Sequence, residues 1–245
     1  RIGTIIISEL FLDDSERTIP SVSRGLGGVA GGEKYVYLPE GMFFKFAVDD
    51  HNLYNGDEGI MKAAGQELRS LLELMDCRVS RLHFPLMVLV DYRGYRLIAM
   101  PLLPVGHDTI VYGSADGGHT IHTSLPEVNA RMQLVARRLN LAGHTVASAS
   151  NPSEKATIYG PVDLEVHLGK DGRFYVLDIA RLFPAATPVA GLKGCQLYRL
   201  LRPELVRGNP KPLCSDAFST WSIDSIDACN RDAEEATHRM RTVMV

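Results

Sequence analysis

Four carboxylates and one lysine stand where side chains can do chemistry. Asp163 and Glu165 lie two residues apart in the run 162–168, so a strand there puts both on one face. Asp178 ends the apolar run 174–179, where a carboxylate must be paired, hydrogen-bonded or metal-bound to be tolerated. Carboxylates converging across such a hairpin suit a hard cation such as Mg2+ and the phosphates it carries. Asp178 and Glu165 are then metal ligands and Asp163 a candidate catalytic base. The competing reading pairs Asp178 with Arg181 and leaves Asp163 to cap a turn. Lys45 sits between Phe44 and Phe46 in MFFKFAV, and either snorkels to solvent or holds a buried anion. Glu67 lies beside the apolar stripe of a helix. A strand lysine followed by a helix glutamate is how kinase-like folds fix the lysine that grips phosphates. A surface Glu67 with a snorkelling Lys45 is the alternative. His144 and His167 read first as hydrogen-bonded structural residues.

The elements that must position these groups follow from spacing. Gly169-Lys170-Asp171-Gly172 between two apolar runs predicts a hairpin, because its tight turn needs positive φ and glycine supplies it. Strands are expected over 35–38 and 42–48, around Pro39-Glu40-Gly41, and again over 82–92 and 95–103, around Arg93-Gly94. The last of these runs into Pro101 and Pro104, so Met100, Leu102 and Leu103 form an extended hinge offering free backbone groups to an adenine. Helices are expected over 60–75 and 125–141, the second stopped by Gly143, with a short one over 197–205 and a polar one over 224–244. The segment 2–11 reads as a strand or the tail of an excluded element. Residues 105–123 read as loops with a short hairpin, and 147–155 as a polar lead into the acidic hairpin. Glycines 25, 27, 28, 31 and 32 make a loop whose amides can cradle phosphate or form a hairpin tip.

Composition sets the bounds. The 245 residues suit one large domain or two small lobes, and 45% hydrophobic with 22% charged residues is ordinary globular usage. A net charge of −3 excludes bulk electrostatic attraction to nucleic acid, so RNA contact needs a local basic surface such as Arg131, Arg137 and Arg138. Cys77, Cys195, Cys214 and Cys229 lack CxxC spacing, which argues against zinc and for reduced thiols in a cytoplasmic protein. No apolar run is long enough to span a bilayer. A chain opening on Arg1 reads as a piece of something longer.

Several stretches together resemble the CLU domain of the clustered-mitochondria family: YRGYRLIA at 92–99, VYGSAD at 111–116, LNLAGHTV at 139–146, GRFYVLDIARLFP at 172–184 and LYRLLRPELV at 197–206. The resemblance covers about residues 35 to 215 and is most specific in the hairpin ending Leu-Asp-x-x-Arg. It implies a module of a large cytosolic protein linked to mitochondrial distribution and to messenger RNAs for mitochondrial proteins. The hairpin is also similar to SAICAR synthetases in the order of Asp163, Glu165, Gly169, Asp171-Gly172, Asp178 and Thr187-Pro188. That second likeness implies a two-lobed ATP-binding architecture. The synthetase lysine is Leu164 here, and the kinase motifs His-Arg-Asp and Asp-Phe-Gly are missing.

The combined reading is an α+β, two-lobed, kinase-like or SAICAR synthetase-like fold. Residues 1–103 form a lobe with an antiparallel sheet and one helix, and residues 104–245 a more helical lobe carrying the acidic hairpin. ATP then lies between them, Lys45 on its phosphates and Met100–Leu103 at its base, with Mg2+ on Asp178 and Glu165. Two functions compete. One is a non-catalytic CLU module binding protein or RNA beside the other domains of its parent. The other is an ATP- and Mg2+-dependent phosphotransferase, or a relative that binds nucleotide without turnover.

Overall fold

Apolar spacing and turn chemistry lay down a mixed α+β chain. The computed structural model describes residues 1–22, 31–221 and 223–243, so the glycine-loop reading at Gly25, Gly27 and Gly28 lies outside the described residues. An antiparallel sheet of order β1-β2-β5-β4 comes first: β1 (Lys34–Tyr37), β2 (Met42–Phe46), β4 (Val88–Tyr92) and β5 (Tyr95–Pro101). Between β2 and β4 runs α2 (Asp57–Asp76). Asp57 and Glu58 in its first turn complement the positive end of the helix, and Ile60, Ala63, Ala64, Leu71 and Leu74 are buried at helical spacing. After it, β3 (Leu82–His83) crosses to a second sheet of order β3-β11-β10-β6-β7. That sheet adds β6 (Ile110–Gly113), β7 (His122–Thr123), β10 (Glu165–Leu168) and β11 (Phe174–Leu177). Only its β3–β11 pairing is parallel among the described residues.

Next to this sheet lie α3 (Pro126–Leu139) and a hairpin of β8 (Gly143–Ala147) and β9 (Lys155–Tyr159). Two further helices, α4 (Pro203–Arg207) and α5 (Ile226–Val243), complete the chain. The main core draws on both halves of the sequence, from Ala47, Leu71 and Ile98 to Val135, Leu164, Val176 and Ala236. A smaller core joins Tyr35, Phe44, Phe46 and Leu97 to Ile6 and Ile7.

Several expectations are corrected. Segment 2–11 is no strand: Ile2–Ser8 is a helix, α1, because burying Ile6 and Ile7 on the first sheet outweighs the strand preference of isoleucine. The expected strand 82–92 is two strands in two different sheets, broken at Pro85, which cannot donate to a ladder. Helix α3 is stopped by Asn140 in the left-handed region at φ 58°, while Gly143 opens β8. The expected helix 197–205 is a 3-10 turn at Cys195–Leu197 plus α4, since Pro203 starts a helix better than it continues one. The polar lead-in 147–155 is flanked by the paired strands β8 and β9. The acidic hairpin is shorter than expected, with Glu165 opposite Leu177 as its outermost pair.

Gly113 ends β6 at φ +87°, and a Cβ there would lie 1.8 Å from the Leu164 carbonyl oxygen. Gly113→Ala must therefore push β6 off β10, and we expect a loss of more than about 2 kcal/mol in urea unfolding. An unchanged midpoint would show that the two backbones do not meet this closely.

Candidate functional site

The two sheets and α2 enclose a cleft of about 200 Å³. Its polar lining is Lys45 from β2, Glu67 from α2, Glu165 from β10, Tyr54, Asp163, Asp178 and Arg181. The strand and helix periods explain the convergence. Lys45 alternates with the buried Phe44 and Phe46, so it points off the small core, towards the second sheet. Glu67 lies on the same buried face of α2 as Ala63, Ala64 and Leu71. Asp178 follows β11 directly, and its left-handed backbone at φ 50° turns the chain out of the ladder. Gly31 closes one side, where a Cβ would come within 2.7 Å of the Lys45 side chain.

Burial chiefly pushes the Asp178 carboxyl up to about 7; Lys45 opposes the shift, and the neighbouring Glu165, Glu67 and Asp163 carboxylates add to it. Burial alone would lower Lys45, but the facing Asp178 and Glu67 outweigh it and hold its ammonium charged. Burial also raises Glu67, against the pull of Lys45. Lys45 and Glu67 act on each other through space: among the described residues no direct ion pair joins them.

The other carboxylates have partners. Arg181 donates through Nε and Nη2 to both oxygens of Asp163 at 2.8 and 2.7 Å, and through Nη2 to Asp216 Oδ1 at 3.0 Å. The pairing of Arg181 with Asp178 is thus corrected: Asp163 and Asp216 share that guanidinium, because Asp178 turns away from the strand on the other side. Asp216 is completely buried and also accepts the Val162 amide at 2.9 Å. His144 Nε2 lies 2.9 Å from its Oδ2, which makes His144 part of this buried network. His167 Nε2 lies 2.8 Å from Glu165 Oε2, with its Nδ1 2.9 Å from the Thr109 hydroxyl.

Met100, Leu102 and Leu103 do not line the cleft; Ile98, Ala115 and Leu197 supply apolar wall instead. The Leu102 amide is not free either, since it donates to the Gly41 carbonyl at 2.7 Å. Strand pairing has extended past the proline that was expected to end it. Of the basic trio, Arg131 is committed to the Ser80 and Glu127 carbonyls and Arg138 to the Cys77 carbonyl. Sequence reasoning missed Asp216, for which the one signal was an aspartate inside the apolar run LCSDAF. Tyr54 and Ser114 also line the cleft and were not singled out, although Ser114 lies within the quoted stretch VYGSAD.

Among the described residues no group of three or more His, Cys, Asp or Glu side chains has metal-holding geometry. Mg2+ needs fewer, taking one or two carboxylates and completing its shell with phosphate oxygens and water. Asp178 fits that demand, being a desolvated carboxylate beside Glu165.

The family model described as clustered mitochondria, CLU, matches residues 1–187. The chain is similar to the clustered mitochondria protein of Arabidopsis thaliana, 28% identical over 169 residues, 64% of this chain and 12% of that protein. It is 27% identical to protein clueless of Drosophila mojavensis over 174 residues, 68% of this chain and 12% of that one. A Neurospora crassa homolog is 25% identical over 233 residues, covering 84% of this chain and 18% of its own length. These relatives are thus several times longer than the stretch they share with it. No solved structure matches the chain. With the family model spanning three quarters of its length and the relatives agreeing, the chain belongs to the clustered mitochondria (CLU) family.

Proposed function

We propose that this CLU module is a nucleotide-binding domain on a kinase-like scaffold, holding Mg2+ and a phosphate chain in its cleft without transferring the phosphoryl group. One observation carries the reading: a strand lysine, a helix glutamate and a carboxylate just after a hairpin strand line a single cleft. Phosphoryl-transfer sites ask a protein for that set, to neutralise phosphate charge and hold the metal. Lys45 would meet phosphate oxygens, and Asp178 with Glu165 would hold Mg2+, which when bound supplies positive charge between carboxylate and phosphate. Glu67 keeps Lys45 charged and aimed. The cleft is smaller than the roughly 300–1,000 Å³ of drug-sized ligand sites, which suits phosphates better than a whole nucleotide with its base enclosed.

Binding without turnover is favoured because Asp163 is clamped by both arms of Arg181. A base so engaged cannot accept a substrate proton without breaking a buried ion pair. We place this module in the cytoplasm, inside a longer protein that acts on mitochondrial distribution as the names of its relatives suggest. Its partners are then the other domains of that protein and proteins docked to it. RNA contact through Arg131, Arg137 and Arg138 gains little support, since Arg131 and Arg138 are already committed to backbone carbonyls.

Melting curves with and without Mg2+-ATP test the reading. At 100 times its dissociation constant, the nucleotide should stabilise the parent chain by about 2.7 kcal/mol. Asp178→Asn should fold and lose this response; a variant that keeps it would remove Asp178 from the site.

The same substitution tests the electrostatics without ligand. The Asp178 carboxyl sits at about 7 in the folded chain against an ordinary 3.8, so folding retains a proton that the unfolded chain releases between those values. Its favourable contribution is full below the lower value and lost as pH rises through the upper one. Unliganded Asp178→Asn should therefore be more stable than the parent at pH 8, by on the order of 1–2 kcal/mol, with the gap closing towards pH 4. A variant less stable than the parent at pH 8 would make Asp178 a structural ion-pair partner instead.

A further inference from the structure

Away from the cleft opening, the C-terminal helix brings together two cysteines fifteen positions apart. Cys229 lies in the first turn of α5, and Cys214 lies just after α4. Both are buried, in a small cluster with Ala217 and Ala233 that is separate from the main core. They share this one small cluster as free thiols, and no disulfide joins them. We propose that Cys214 and Cys229 form a reversible oxidation site, closed to an intramolecular disulfide by a hydroperoxide.

The surroundings differ from those of an inert core thiol. The opening turn of a helix presents the positive end of its dipole, which favours a thiolate. The Ser225 hydroxyl lies 3.8 Å from Cys229 Sγ, and Ser225 itself is exposed, so a molecule as small as hydrogen peroxide has one residue to pass. His144 stands near enough to favour the same charge, and its Nδ1 is buried without a hydrogen-bond partner among the described residues. The Cys214 thiol, Ser225 and His144 together draw Cys229 below the ordinary thiol range, against the burial that would raise it. Cys214 is the more deeply buried of the two and lies off the helix end, so it serves as the resolving partner. Cys77, by contrast, is pushed up to about 11 by burial.

The chemistry balances. The Cys229 thiolate attacks one peroxide oxygen, the O–O bond breaks, and the leaving hydroxide takes a proton to become water. A sulfenic acid results. The Cys214 sulfur then attacks that sulfur, the S–O bond breaks, and a second water leaves with the Cys214 proton. The two sulfurs lose two electrons and the peroxide oxygens gain them. Closure ties α5 to the segment carrying Asp216, two residues beyond Cys214, and so to the back wall of the cleft.

The test treats the full folded chain with hydrogen peroxide, alkylates the remaining thiols under denaturing conditions, and maps them by mass spectrometry without reduction. The expected result is a Cys214–Cys229 peptide pair, opened by dithiothreitol, at peroxide exposures that leave Cys77 and Cys195 fully alkylated. Cys214→Ser should instead leave Cys229 as a sulfenic acid trapped by dimedone, and Cys77→Ser should change nothing. Oxidation of all four cysteines at one rate, a different pair, or no disulfide before unfolding would each overturn the proposal.

Discussion

A guanidinium cannot be taken out of water unless anions go with it, and Arg181 is buried with two. Asp163 arrives from the turn before β10 and Asp216 from the segment after α4, while His144 on β8 and the Val162 amide secure the second carboxylate. Removing Arg181 would leave the fully buried Asp216 without its cation, at a cost of about 3–5 kcal/mol. These segments must therefore assemble together or not at all. The chain uses a polar network here where most cores use leucine, and the gain is registry: only one arrangement of the second sheet, the β8–β9 hairpin and the C-terminal segment satisfies every charge.

That constraint decides what the cleft is left with. Once Arg181 is committed behind Asp163, the pocket holds Lys45 as the cation facing Asp178 and Glu67. A structure selected for stability alone would replace Asp178, whose burial is unfavourable when charged. On the proposed reading, a Mg2+ held here would remove the repulsion among these carboxylates. Glu67 follows the same logic one step out. It is buried without a direct ion-pair partner among the described residues, and Lys45 acts through space against the burial that raises it.

How much of this was legible in the sequence divides by the range of the force involved. Local signals held where they were local. The Asp-Gly turn gave the β10–β11 hairpin, and the 3.6-residue stripe gave α2 and α3. Convergence of Lys45, Glu67, Glu165 and Asp178 was readable only by analogy, because spacing fixes which face a residue takes and not what that face meets. Choices among competing partners failed. Arg181 is three residues from Asp178, yet it prefers Asp163 and an aspartate thirty-five residues on, because φ 50° at Asp178 carries the nearer carboxylate away. Segment 2–11 failed for a related reason: Gly3 lets a helix pack closely on the sheet, where an added Cβ would stand 3.1 Å from the Leu97 side chain, although an isolated isoleucine run favours a strand. The hinge reading at Met100–Leu103 failed because a proline at the end of β5 does not stop the next residue from pairing.

The buried charges and the thiol pair are neighbours, and this adjacency has a physical consequence. Cys214 and Asp216 are two residues apart, Asp216 holds Arg181, and Arg181 holds Asp163 on the cleft wall. Coupling between distant sites needs a packed element with two discrete arrangements that both sites bias. A dithiol and a disulfide at 214 and 229 are two such arrangements, and the Asp216 carboxylate is the group that would feel the difference. A shift of Asp216 would be passed to the guanidinium and from it to Asp163, the carboxylate that Arg181 holds on the cleft wall.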